Sequence, residues 1–179
     1  MRAPITLAMV LAAVMAATGQ WVVHQKSGPR AVSAGPAGNE AYRVAYVNDG
    51  DTIKLNNGER VRLIGIDTPE THDNQKLSKD VARRRTSRKT QLAMGEKAAG
   101  FTRALVQGRD VRLEYDVERR DHYRRLLAYV YLSDGTFVNE KIIREGYAYP
   151  LTVPPNVRYA DRFKQWFDEA RQNRRGLWQ

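Results

Sequence analysis

Thr52-Ile53-Lys54-Leu55, Asn56-Asn57-Gly58-Glu59 and Arg60-Val61-Arg62-Leu63-Ile64-Gly65-Ile66 form the stretch whose reading decides the fold. Two short aliphatic runs flank a turn in which Asn and Gly tolerate positive φ, the mark of a β-hairpin. Outward from it, Tyr42–Val47 reads as a strand on one side, and Val111–Val117 and Leu126–Leu132 as two more on the other, followed by a Ser133-Asp134-Gly135 turn. Met94, Ala98, Phe101 and Leu105 recur at helical spacing, and Gly108 can close that helix. Asn139 is expected to cap a short helix carrying Ile142 and Ile143 and ended by Gly146. A last helix is expected from about Val157, with Tyr159, Phe163, Trp166 and Ala170 on one stripe and Gly176 as its stop. Five strands with helices inserted after the third and following the fifth predict an α+β, mainly β fold: a small barrel with about three packed helices.

The chain of 179 residues is long enough for one domain with short extensions, and its 42% apolar content supports one core. With no cysteine, disulfides, thiol nucleophiles and thiolate metal sites are excluded. Three histidines make a multi-histidine zinc site improbable, so a metal here is held by oxygen, which favours a hard cation. A net charge of +10 attracts polyanions, nucleic acid among them. Arg2 and the apolar run from Ala3 to Ala17 look like an export signal, with Ala17-Thr18-Gly19 as a cleavage site. Trp21, Val22 and Val23 extend the run, so residues 1–26 read either as a cleaved signal or as an anchor tethered through residues 3–23. Residues 27–40 have the composition of a flexible linker, and the folded domain is expected over residues 41–179.

The hairpin also organises the chemistry. Asp51 and Asp67 lie at nearly equal distances from its turn, so antiparallel pairing predicts that they are neighbours. Two adjacent carboxylates repel unless a cation lies between them, and calcium suits such a flexible oxygen shell. Thr68 can add a backbone carbonyl, and Asp49 is near enough to hold a water on the ion. Taken singly, each Asp is more simply a turn residue; their convergence is what favours a site. Glu70, on the rigid turn after Pro69, is placed to take a proton from an attacking water. Arg62 lies in an apolar strand, where it either satisfies a carboxylate or waits for a phosphate. Arg125 precedes the fifth strand beside Asp121, His122 and Tyr123, and two guanidinium forks aimed at one cleft suit phosphoryl chemistry.

Asp49-Gly50-Asp51-Thr52, Arg62 through Glu70, and Asp121 through Tyr129 resemble the three motifs of the staphylococcal nuclease (thermonuclease-like) family. Val138-Asn139-Glu140 through Gly146 and Gly176-Leu177-Trp178 are also similar, so the resemblance spans about residues 41–179. It implies a five-stranded OB-fold-type barrel and a calcium-dependent endonuclease acting on DNA and RNA with little sequence preference and leaving 3′-phosphate ends. By the same resemblance Asp51, Asp67 and the Thr68 carbonyl bind calcium, Glu70 is the general base, Arg62 and Arg125 grip the phosphate, and Tyr123 lies against the sugar-phosphate. His122 stands where the family has lysine, Arg124 where it usually has glycine, and Tyr149 is a partial match to the tyrosines that flank the nucleotide.

Residues 71–94 form an insertion longer than the family's, expected as a loop, with seven cations against Asp73 and Asp80. It reads either as an arm holding polyanion or as a solvated insertion. Two rival readings stand beside the nuclease: a non-catalytic nucleic-acid platform on the same barrel, and a membrane-tethered interaction protein. No protein partner is evident, and with no second apolar stripe a monomer is expected.

Overall fold

In the computed structural model, residues 40–179 are described; the expectations of a signal or anchor at 1–26 and a linker from 27 fall on residues outside them, save for Glu40. The elements in chain order are β1 (Ala41–Asp49), β2 (Thr52–Leu55), β3 (Arg60–Leu63), β4 (Gly65–Asp67), α1 (Gln75–Arg84), α2 (Arg88–Val106), β5 (Asp110–Glu114), β6 (Leu126–Leu132), α3 (Val138–Arg144), β7 (Tyr149–Leu151) and α4 (Ala160–Gln172), closed by a 3-10 turn at Gly176–Trp178.

The central hairpin forms as its residues demand. Gly58 takes φ 87°, and the Asn57 side chain accepts the Glu59 N–H at 3.1 Å. β2 and β3 then pair with Thr52 opposite Arg62 and Ile53 opposite Val61. Strands β1, β2, β3, β6 and β5 close into a barrel in that order, with β3 and β6 the one parallel pair among them. Val47, Ile53, Leu55, Val61 and Val111 are fully buried inside it. β6 is apolar nearly throughout because both its faces are covered, one by the barrel interior and one by helices. Between barrel and helices lies an aromatic cluster in which Tyr129 meets Tyr159 edge-on at 4.6 Å and Phe163 meets Trp166 at 5.5 Å.

Four expectations are corrected. The strand expected over 60–66 breaks at Gly65, whose φ of 84° turns β4 out of the barrel to pair with β7. A Cβ at Gly65 would stand 2.1 Å from the Phe163 ring, so the break also lets α4 approach. The insertion over 71–94 is helical rather than a loop: Asn74 caps α1 by accepting the Leu77 N–H at 2.8 Å, and Ser87 caps α2 by accepting the Thr90 N–H at 3.0 Å. Asn139 is not a cap but a buried member of α3, its side chain accepting the Val130 N–H and donating to the Ile64 carbonyl. α4 ends at Gln172, short of Gly176, which belongs to the closing turn.

Candidate active site

Asp51 and Asp67 do come together, though not by strand pairing. The register sets Asp51 against Leu63, whose N–H donates to the Asp51 carbonyl at 2.9 Å, so Asp67 lies beyond the end of the ribbon. The turn at Gly65 brings it back. Arg62 then spans the pair, Nη1 lying 3.1 Å from Asp51 Oδ1 and Nη2 3.4 Å from Asp67 Oδ1, while Nη1 also donates to the Leu63 and Ile66 carbonyls. Of the two roles open to Arg62 in the sequence, the carboxylate-satisfying one is therefore visible. Among the described residues its Nε has no protein partner.

Asp51 is held on its other oxygen by Thr68, whose N–H donates at 2.8 Å and whose hydroxyl donates at 3.1 Å. Burial pushes the Asp51 carboxyl up, but Arg62, Lys76 and the Thr68 N–H together pull it below the ordinary carboxylate range. Asp49 accepts the Asp51 N–H, and burial, followed by the like charge of Asp51, pushes its own carboxyl up to about 7. Helix α2 backs this turn. Thr102 donates to the Gly50 carbonyl at 2.8 Å, and a Cβ at Gly50 would come within 2.8 Å of the Thr68 side chain.

Glu70 lies beside the pair. Its Oε2 accepts from Asn74 Nδ2 at 2.7 Å, and its Oε1 meets Lys76 Nζ at 2.5 Å. Lys76 Nζ also lies 2.9 Å from Asp67 Oδ1 and donates to the Thr68 carbonyl at 3.1 Å. Burial alone would lower the Lys76 pKa, yet Asp51, Asp67 and Glu70 outweigh it and hold the ammonium above its usual value. Arg84 reaches Asp67 Oδ2 at 3.5 Å from the far end of α1 and is shared with buried Asp80. Among the described residues, no three carboxylate or imidazole side chains close on one point tightly enough to hold a metal unaided. What converges is two aspartates, a main-chain carbonyl and a glutamate, an all-oxygen set suited to a hard cation, and an ammonium already stands among three of its members.

The opposite wall is the turn before β6. Asp121 accepts the Tyr123 and Arg125 N–H groups on one oxygen and Arg125 Nε, at 2.8 Å, on the other. Burial raises the Asp121 carboxyl, and these Arg125 contacts overcome it, leaving it below the usual range. Arg125 Nη1 reaches Thr52 Oγ1 at 3.5 Å, and that hydroxyl donates to Asp51 Oδ1 at 3.2 Å, so the two arginines border one space. Arg124 keeps φ 63°, the left-handed conformation glycine adopts freely. Exposed Tyr123 lies beneath Arg125 and against His122, whose ring centroid is 3.7 Å away.

A cavity of about 710 Å³ joins these walls, with Asp51, Arg62, Asp67, Glu70, Tyr123 and Arg125 all on its surface and Leu151 and Val153 on its rim. His122 lines it too; Thr68 is buried beneath it. Tyr149 is a correction. Its ring packs under Arg84, 3.5 Å from the guanidinium, and edge-on to Trp178 at 4.9 Å, and it does not line the cavity, because β7 pairs it back onto Asp67. The sequence reading missed Lys76 and Asn74 as site residues. Asn74 is of the residue type that starts helices, and reading it as the cap of α1 places Lys76 in that helix's first turn, next to the segment that carries Glu70.

A model of the family described as staphylococcal nuclease homologue matches residues 60–179. The chain is 39% identical over 155 residues to a thermonuclease of Staphylococcus intermedius, covering 85% of this chain and 84% of the relative. A thermonuclease of Staphylococcus hyicus is 34% identical over 96% of this chain and 95% of its own length. The endonuclease YncB of Bacillus subtilis is 37% identical over 73% of this chain and 57% of its own length. With the barrel, the bordering arginines and relatives of this coverage in hand, the chain belongs to the staphylococcal nuclease homologue family, and with it to the phosphodiester-hydrolysing nucleases.

Proposed function

We propose that this protein is an exported, calcium-dependent endonuclease that hydrolyses DNA and RNA with little sequence preference and leaves 3′-phosphate ends. One observation carries the reading: Glu70, Arg62 and Arg125 face a single cavity with the Asp51–Asp67 pair at its floor. Export rests on residues 1–26 alone.

Asp51, Asp67 and the Thr68 carbonyl are the residues that would hold calcium, which when bound neutralises phosphate charge. Arg125, oriented through Nε by Asp121, turns its terminal nitrogens toward the cavity, where they match phosphate oxygens. Arg62 offers its remaining donor from the floor. Both donors are fixed before substrate arrives, so little reorganisation accompanies charge build-up at phosphorus. Glu70, on the rim of the same floor, takes the proton from the attacking water. Tyr123, exposed and backed by Arg125, supports the sugar-phosphate, with His122 beside it.

Plasmid DNA and RNA incubated with the protein are expected to be cut in calcium and spared by a chelator. Glu70→Gln should slow cleavage by about a hundredfold or more. A variant as fast as the parent removes Glu70 as base. Binding without cleavage by the parent would favour the platform reading instead.

A further inference from the structure

Two of the three groups proposed to hold calcium, Asp67 and the Thr68 carbonyl, are already gripped by a cation of the chain itself, which also holds Glu70. Lys76 Nζ lies 2.9 Å from Asp67 Oδ1, 2.5 Å from Glu70 Oε1 and 3.1 Å from the Thr68 carbonyl. An ammonium has three N–H donors and no acceptor, so these three contacts use its full capacity. Its position is built rather than incidental. Lys76 is in the first turn of α1, and Asn74, which caps that turn through the Leu77 N–H, also donates to the second oxygen of Glu70. Leu77, buried at 0% exposure, anchors the same turn in the core.

Charge closes the arrangement. Asp51, Asp67 and Glu70 are met by Arg62, by Lys76 and by Arg84, the last shared with Asp80. A divalent ion finds one negative charge fewer there while Lys76 remains. Nor is there room for both, since calcium needs its oxygens at roughly 2.3–2.6 Å, inside the shell the ammonium fills.

We propose that Lys76 is a tethered cation that competes with the metal for Asp67 and the Thr68 carbonyl while pinning Glu70, so that metal binding requires its expulsion and Glu70 is freed as base only when it leaves. The gate is graded, because the Lys76 side chain is 38% exposed and can swing into solvent without unfolding α1. It lowers calcium affinity and couples the metal to the release of Glu70. The inference rests on the calcium site proposed above.

The test is calorimetric titration of calcium, without substrate, into the parent, Lys76→Met and Lys76→Arg. Methionine keeps the stem's length and packing without the charge. Lys76→Met should bind calcium about tenfold more tightly than the parent, with Lys76→Arg staying near it. Thermal melts give a second readout: in chelator Lys76→Met should melt below the parent, its carboxylates unneutralised, and calcium should raise its melting point more than the parent's. Equal or weaker calcium affinity in Lys76→Met, with the parent binding, overturns this proposal alone. No binding by either protein overturns the calcium site and this proposal with it.

Discussion

Asp121 and Arg125 show how much of this site depends on one carboxylate that orients its neighbours. One carboxylate fixes two main-chain N–H groups and the Nε of an arginine, so both the turn and the fork depend on it. Asp121→Asn should slow cleavage roughly a hundredfold, the scale expected of a misaligned group. It also makes a pH prediction. The Asp121 pKa is depressed by folding, so its stabilisation is present above the unfolded value near 3.9 and is lost as pH falls through the lower folded value. Denaturant unfolding should show a constant gap between parent and variant above about pH 5 that closes in stronger acid. Arg124 poses the opposite case. A non-glycine residue held at φ 63° is strained, and Arg124→Gly should stabilise by about 0.5–1 kcal/mol once the looser unfolded chain is subtracted.

Helix α2 lies against the main chain that carries the site, and two of its glycines separate contact from propensity. A Cβ at Gly95 would stand 2.1 Å from the Glu70 carbonyl oxygen, whereas one at Gly100 meets nothing within 4 Å. Gly95→Ala should therefore destabilise by about 1–3 kcal/mol and displace Glu70, lowering activity further than stability predicts. Gly100→Ala should stabilise by about 0.5–1 kcal/mol with activity intact, since only helix propensity changes. Melting curves and initial rates on the two variants check the contrast. Sequence periodicity points to Met94, Ala98, Phe101 and Leu105 as the buried stripe; Ala98 is buried, but the other three are only half-buried, and Gln91, Gly95, Ala99, Thr102 and Val106 complete the inward face. The helix approaches the barrel by small residues, a geometry that apolar spacing does not encode.

Across the molecule, a net +10 meets a site whose local charges nearly cancel, so substrate attraction comes from the surface. The insertion is where that surplus is densest, but its helices use part of it internally. Lys76 and Arg84 turn to the site, Arg83 pairs with Asp80 and Arg88 with Asp73. Lys79, Arg85 and Lys89 are exposed and have no ion partner among the described residues. Replacing those three with glutamine should flatten the logarithmic salt dependence of DNA binding, measured in chelator, by about two to three. An unchanged slope places the polyanion elsewhere on the surface.

The hairpin, the five barrel strands in outline, the last helix apart from its ends, and Asp51, Arg62, Asp67, Glu70, Tyr123 and Arg125 on the cavity were readable from residue order, because turn chemistry and apolar spacing are local and the motifs lie within a few residues of those turns. Lys76 was readable only as charge. Its place among the oxygens depends on a cap at Asn74, a break at Gly65 and the docking of α1 through Leu77, and no window of sequence contains all three. Tyr149 failed for the same reason: its ring direction is set by β7 pairing with β4, a contact across more than eighty residues. Local propensity chose the elements, and the long-range closure of β4 on β7 and of α1 on the hairpin's end decided which charges meet.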